Sequence, residues 1–251
     1  MADNRLIKTD ILIAGTGCSG LYMAMNLPSD KNILMITKSD CESSDSYLAQ
    51  GGMCMLKSED DYDSYFEDTL KAGHYENDKK SVEIMIRSSA EVVDDLVKCG
   101  ASFKREKDGS LAYTREGAHS ANRIIFHEDI TGKEITSHLL AKVRTLPNVK
   151  IVEFTRLLDI ISKDNRCLGA VIRDNNGDVI KIEAQDVVLA TGGIGGLYRY
   201  IQRISGILQV MQLLLQLSME LSLKISIMCR YIQQHFTLRS RRTEAFLYQN
   251  Q

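Results

Sequence analysis

The chain has 251 residues, with 31 Lys and Arg against 33 Asp and Glu, and a net charge of −2 when histidine is neutral. Charges this balanced create no overall field toward nucleic acid or an anionic membrane, and the length allows a large core in one or two domains. Six cysteines with no C-x-x-C pair and no metal-ligand spacing fit free thiols in a reducing cytoplasm better than a disulfide framework.

Met1 to Thr9 is polar and charged, without the pattern of a secretory signal. Ile11 to Ala14 reads as a buried strand, followed by a turn of Gly15, Thr16, Gly17, Cys18, Ser19 and Gly20. Leu21, Met23, Ala24 and Leu27 then recur at helical spacing up to Pro28. Gly15 permits the tight turn, Gly17 lets a pyrophosphate approach the backbone, and Gly20 lets helix and strand pack closely. The free amides at the helix start then face the anion, so strand, glycine turn and helix together predict a dinucleotide site.

Asn32 to Thr37 reads as the second buried strand of a parallel sheet. Dinucleotide folds usually place an acid here for the ribose hydroxyls; this chain has Thr37, Lys38 and Ser39, with Asp40 late. Lys38 suits either a contact with the cofactor's phosphate or adenosine side, or a solvated turn. In Asp45, Ser46, Tyr47, Leu48, Ala49, Gln50, Gly51 and Gly52, the paired glycines suit backbone held against a ligand, or an ordinary turn.

Tyr65 to Ala72 and Ser81 to Cys99 are predicted helices. In the second, Ile84, Ile86, Val92, Val93, Leu96 and Val97 make an apolar face that stops at Gly100. Tyr113 to Arg123 crowds Arg115, Glu116, His119 and Arg123 around Gly117, a loop that either faces a ligand or carries surface charge. Gly132 to Val143 is helical, and Lys150 to Ser162 and Cys167 to Glu183 are strands, the second turning at Asn175 to Asp178. Asp186 to Gly196 is a further buried strand running into a glycine cluster, with Ala190, Thr191 and Gly192 as a second loop on the cofactor side.

Taken in order, T-D-I-L-I-A-G-T-G-C-S-G, Y-L-A-Q-G-G, T-R-E-G-A-H-S-A-N-R-I and D-V-V-L-A-T-G-G resemble the flavoprotein family of L-aspartate oxidase and the succinate dehydrogenase and fumarate reductase flavoproteins. The resemblance covers residues 8 to 200 and implies an α/β fold. That fold is a Rossmann-like FAD-binding domain over 1–200, with a parallel sheet, a helical insertion over about 56–145 and a β-hairpin or meander. The R-E-G-x-H-S-x-x-R-I string is the aspartate-oxidase version. Dehydrogenase and reductase subunits commonly carry a histidine for a covalent flavin bond at the position of Asp45, so the implied FAD is non-covalent. The resemblance places Thr16 to Ser19, Lys38 and Asp45 to Gly52 on FAD. It places Glu116 beside the substrate, where a carboxylate binds the amino group of aspartate and separates it from succinate. His119 and Arg123 brace that loop. The implied reaction oxidises L-aspartate to iminoaspartate for NAD biosynthesis, with oxygen or fumarate as electron acceptor and quinolinate synthase a partner by pathway. A fumarate reductase-like flavoprotein and a non-catalytic FAD-binding remnant are the competing readings.

After Tyr200 the character changes: there is no further Asp, and Arg203, Lys224, Arg230, Arg239, Arg241 and Arg242 face only Glu220 and Glu244. Leu217 to Ile227 alternates with period two, while polar residues interrupt the apolar ones too often for a membrane span. Synonymous codons chosen from Ile207, with the frame moved back one nucleotide, yield a string containing H-P-T-T-L that looks like the family's next segment. Met211, Met219 and Met228, each with a single codon, all fit. Residues from about 201 to 251 are therefore expected to be an out-of-frame tail. The family's substrate-clamping arginines and capping domain are then missing, and the chain as written is expected to oxidise little aspartate.

Overall fold

The computed structural model describes residues 6–164 and 166–193. Strands are β1 (Leu6–Ala14), β2 (Ile33–Ile36), β3 (Met53–Cys54), β4 (Ile124–Ile125), β5 (Val149–Val152), β6 (Arg156–Lys163), β7 (Arg166–Arg173) and β8 (Val179–Leu189). Helices are α1 (Cys18–Asn26), α2 (Asp45–Leu48), α3 (Tyr62–Ala72), α4 (Lys79–Lys98) and α5 (Thr131–Arg144). Six strands form one sheet in the order β5-β2-β1-β8-β7-β6, parallel from β5 to β8 and antiparallel from β8 to β6.

The sheet explains the unbroken apolar runs of β1 and β2. Side chains alternate between faces, and both faces are covered. Ile11, Ile13, Ile33 and Met35 pack with Leu21 and Ala24 of α1 and with Leu139 and Val143 of α5. Leu12, Ala14, Leu34 and Ile36 pack with Leu157, Ala170, Ile172, Ile180 and Ile182, so the β6–β8 meander covers the second face. The insertion between β2 and β5 has its own cluster around Leu56, Tyr65, Leu70, Val82 and Ile86.

Several elements differ from the sequence expectation. The predicted strand from Lys150 to Ser162 is two strands, because the chain leaves β5 through Phe154 at φ 54° and crosses the sheet edge. The second arm of the predicted hairpin and the predicted strand from Asp186 are one strand, β8; Asp186 is exposed and Val187 to Leu189 are half-buried rather than buried. Asp45 to Leu48 is a turn of helix started by Ser44, whose hydroxyl accepts the Tyr47 amide at 3.2 Å. In α4, Ile86, Val93 and Leu96 are buried, but Ile84 and Val97 point outward. The predicted out-of-frame tail, and Gly195 and Gly196, lie outside the described residues. No helix among the described residues is long and apolar enough to cross a membrane.

Candidate functional site

Parallel strands put the carboxyl ends of β1, β2, β5 and β8 along one edge of the sheet. There the Gly15 amide donates to the Ile36 carbonyl at 2.8 Å and the Ala190 amide to the Ala14 carbonyl at 2.9 Å. The predicted glycine turn and the Ala190 to Gly192 loop are thus adjacent. Gly15 takes φ 118°, and a Cβ there would lie 2.0 Å from the Ala190 carbonyl oxygen. A Cβ on Gly20 would lie 2.1 Å from the Gly15 carbonyl oxygen, so the helix sits as tightly on the strand turn as that glycine's role requires. Gly17 is the N-cap of α1 and offers no side-chain cap, leaving the first-turn amides without intrahelical acceptors. The Cys18 amide is taken by Ser46 Oγ at 3.1 Å, which ties this turn to α2.

Thr16 is buried, yet its hydroxyl has no hydrogen-bond partner of normal geometry. It faces the Cys41 thiol closely enough to offset part of the burial that pushes that thiol up to about 11. Thr16 thus lies in the buried turn beside the N-terminus of α1, with its hydroxyl toward the Cys41 thiol.

Beside the glycine turn lies a small open cleft, lined by Ala14, Gly15, Ile36, Thr37, Lys38, Thr155, Leu157 and Thr191. Burial, and then the nearby Arg156, lowers the Lys38 ammonium below its usual range while Asp45 opposes them. Burial raises the Asp45 carboxyl, with Lys38 opposing. Lys38 is half-buried and lines the cleft, with Asp45 near enough to act on its charge. Thr155 and Leu157 were not foreseen as lining residues. Thr155 is buried, its amide donating to the Thr37 carbonyl at 2.8 Å, and no motif marks it.

The third predicted group converges from the insertion. A Cβ on Gly52 would lie 2.3 Å from the Ile124 side chain and 2.5 Å from the Ile125 carbonyl oxygen, so β3 and β4 pack there without room for a side chain. The Gly52 amide donates to Glu116 Oε1 at 3.2 Å, and the Glu116 carboxylate lies alongside Gly51. Gln50 to Gly52 and Glu116, 64 positions apart for the bonded pair, thus form one exposed corner. His119 and Arg123 brace that loop. His119 Nε2 lies 3.3 Å from Cys54 Sγ, and Arg123 Nη1 donates to His119 Nδ1 at 3.3 Å. Arg123 is fully buried and paired with Asp61 at 2.8 Å and Asp68 at 2.6 Å. These partners were not anticipated: charge in a sequence does not show which arginine goes inside.

The family described as FAD binding domain matches residues 10–216. An L-aspartate oxidase of Clostridium perfringens is 43% identical over 190 residues, covering 76% of this chain and 43% of the relative. One of Clostridium acetobutylicum is 44% identical over 193 residues, covering 77% and 44%. Among solved structures, E. coli quinol fumarate reductase FrdA superposes with a TM-score of 0.74 at 27% identity, covering 78% of this chain and 34% of that one. The chain therefore spans less than half the length of the curated relatives it matches.

Proposed function

Because this chain belongs to the FAD-binding-domain family, we propose that residues 6–193 hold the FAD of an L-aspartate oxidase, without a covalent bond to the flavin. The observation that carries the cofactor half is the glycine turn at the start of α1, with Gly17 as an N-cap that offers no side chain to the first-turn amides. A side chain at Gly15 or Gly20 would collide with the Ala190 or Gly15 carbonyl and force the turn apart, and the amides left free at the helix start suit a pyrophosphate, so the residues present fit the group. In this reading the amides of Gly17, Ser19 and Gly20 bind the pyrophosphate, while Thr16 and Cys18, the latter through its bond to Ser46, shape the turn. Lys38, with Thr155 and Leu157, lines the adenosine end, and Asp45 to Gly52 and Ala190 to Gly192 lie along the remainder. Asp45 supplies a carboxylate where a covalent flavin bond would need a ring nitrogen.

FAD, when bound, supplies the two-electron acceptor for oxidation of an amino acid to an imine. The chain's own contribution is position and charge. Glu116, already fixed on the Gly52 amide, offers its second carboxylate oxygen to a substrate ammonium, a charge-assisted contact that succinate cannot make. The reading is L-aspartate to iminoaspartate, feeding NAD biosynthesis, with oxygen or fumarate as acceptor and quinolinate synthase as the enzyme next in line. The chain matches less than half the length of its L-aspartate oxidase relatives, and in this reading the 251-residue polypeptide alone binds flavin but turns over little aspartate. A fumarate reductase-like activity is the second reading, favoured by the superposition on the E. coli enzyme.

The purified polypeptide, loaded with FAD, tests this. Yellow flavin that comigrates with the chain and leaves it on denaturation is expected. A chain that takes up no flavin, or flavin that stays attached after denaturation, overturns the cofactor reading. Restoring the frame at Tyr200 should give bleaching by anaerobic L-aspartate; bleaching by succinate alone would favour the second reading.

A further inference from the structure

Arg123 is the one charged side chain among the described residues that is completely removed from solvent. Its Nε and Nη2 donate to the two oxygens of Asp61 at 3.1 and 2.8 Å, Nη1 to Asp68 Oδ2 at 2.6 Å, and Nη2 also to Ser64 Oγ at 2.7 Å. Its guanidinium carbon stands 5.0 Å from the centre of the Tyr65 ring. Burying a pair like this is a poor way to gain stability, because desolvation offsets most of the attraction and apolar packing would serve as well. What the fork geometry does provide is a fixed position.

What it positions can be followed bond by bond. Asp61 is the N-cap of α3, yet its carboxylate makes no cap to its own helix and turns to Arg123 instead. Asp68, two turns further along α3, accepts from Arg123 and also from the amide and hydroxyl of Ser120, both at 2.7 Å. Both ends of the 119–123 segment are thereby pinned to α3. The other end of the loop is the Glu116 to Ala118 turn, closed by the His119 amide on the Glu116 carbonyl at 3.3 Å, with Ala118 forced to φ 72°. A non-glycine residue holds such a conformation only where its surroundings impose it.

We propose that Arg123, acting through Asp68 and Ser120, is a positioning residue that sets the Glu116 carboxylate on the Gly52 amide. The clamp stands on these bonds alone; its consequence, recognition of a substrate ammonium, rests on the functional reading above. Glu116 itself is exposed, and among the described residues its carboxylate has only the Gly52 amide as a hydrogen-bond partner, so its aim depends on the loop beneath it.

The amide resonance of Gly52 in the isotope-labelled chain reads this directly. Glu116→Gln defines the shift of an amide that has lost its carboxylate acceptor. Asp68→Asn and Ser120→Ala should move Gly52 toward that shift, while the amides of Ile13 and Met35 in the sheet stay in place. Arg123→Lys, which keeps the charge but not the fork, should not restore the wild-type position. Ser120→Ala removes one exposed hydroxyl and leaves the ion pairs intact, so it is informative even where the Asp68 variant fails to fold. Gly52 unmoved in Ser120→Ala, or in a folded Asp68→Asn, overturns the clamp. A clamp that behaves as stated in an FAD-loaded, frame-restored protein indifferent to aspartate would instead overturn the functional reading and leave the positioning role standing.

Discussion

Replacing Gly15 by alanine separates two costs that a glycine can hide. Gly15 and Gly192 both have positive φ, 118° and 77°, so an L side chain at either is strained by about 1–2 kcal/mol, partly offset by reduced freedom of the unfolded chain. They differ in surroundings. A Cβ at Gly192 meets nothing within 4 Å among the described residues, whereas one at Gly15 falls 2.0 Å from the Ala190 carbonyl oxygen and 2.7 Å from its carbon. Relieving that overlap means opening the junction of β1 and β8 by roughly 1 Å, as forced overpacking does, at about 1–3 kcal/mol. The Ala190 amide bond to Ala14, 2.9 Å long, sits at this junction. Weakening it adds about 1 kcal/mol. Gly15→Ala should therefore be less stable than Gly192→Ala by about 2–4 kcal/mol, a large share of a domain's ordinary margin of about 5–15 kcal/mol. Urea unfolding followed by circular dichroism measures the difference, and FAD titration should show Gly15→Ala binding far more weakly. Equal midpoints for the two variants would mean that the turn is not wedged between β1 and β8 as described, and the glycine-turn argument would go with it.

Ala118→Gly should stabilise the chain slightly, by about 0.5 kcal/mol, because relief of the strain at φ 72° exceeds the added freedom of the unfolded chain; a lower midpoint would show that the loop does not hold this conformation. Burial raises the Asp61 and Asp68 carboxyls, but Arg123 with Ser64 at the first, and Ser120 with Arg123 at the second, outweigh it and hold both below the usual range. Folded values below the unfolded one near 3.9 mean that this stabilisation is full above about pH 4 and fades as pH falls through the folded values. The urea midpoint should drop in that acid window, and less steeply in Asp68→Asn. Burial pushes the Cys41 thiol up to about 11, so in the folded chain it should resist thiol reagents near pH 8 that modify exposed Cys167. Rapid modification of Cys41 without unfolding would contradict its place under the glycine turn.

The parts of this architecture that could be read from sequence are those set by local sterics. Ile11 to Gly20 carries its own instructions, since an apolar run, a glycine turn and helical spacing leave few alternatives. The two arms that pair as β7 and β8 were legible for the same reason, with Gly177 at φ 90° in the turn. Four residues of α2 are too few to show a period, so only the Ser44 cap could have signalled it. Read from sequence, one strand ends at Glu183 and another starts at Asp186, but both belong to one strand that runs through an exposed Asp186. The resemblance gave Arg123 a bracing role, but its partners were invisible because it finds Asp61 and Asp68 across 62 and 55 positions, and nothing in the residue types says which of many charges is buried. Thr155 and Leu157 line the cleft only because β6 begins where β2 ends, a fact of topology rather than of motif.

The long insertion between β2 and β5 might be expected to disturb the sheet edge, since it separates two strands that must pair in register. The opposite holds, and α5 is the reason. Ile135, Leu139, Leu140 and Val143 pack it on the same face of the sheet as Leu21 and Ala24 of α1. Thr136 Oγ1 lies 3.2 Å from Cys18 Sγ at the first turn of α1. At its start, the Gly132 amide donates to the Ala49 carbonyl at 3.0 Å, and a Cβ there would lie 2.1 Å from the Ser46 carbonyl oxygen. One helix therefore supports the phosphate-side turn, fixes the Asp45 to Gly52 segment and returns the chain to β5 at Val149. Loosening its first turn should disturb both ends of the proposed cofactor site together, because α1 and α2 have this packing surface in common.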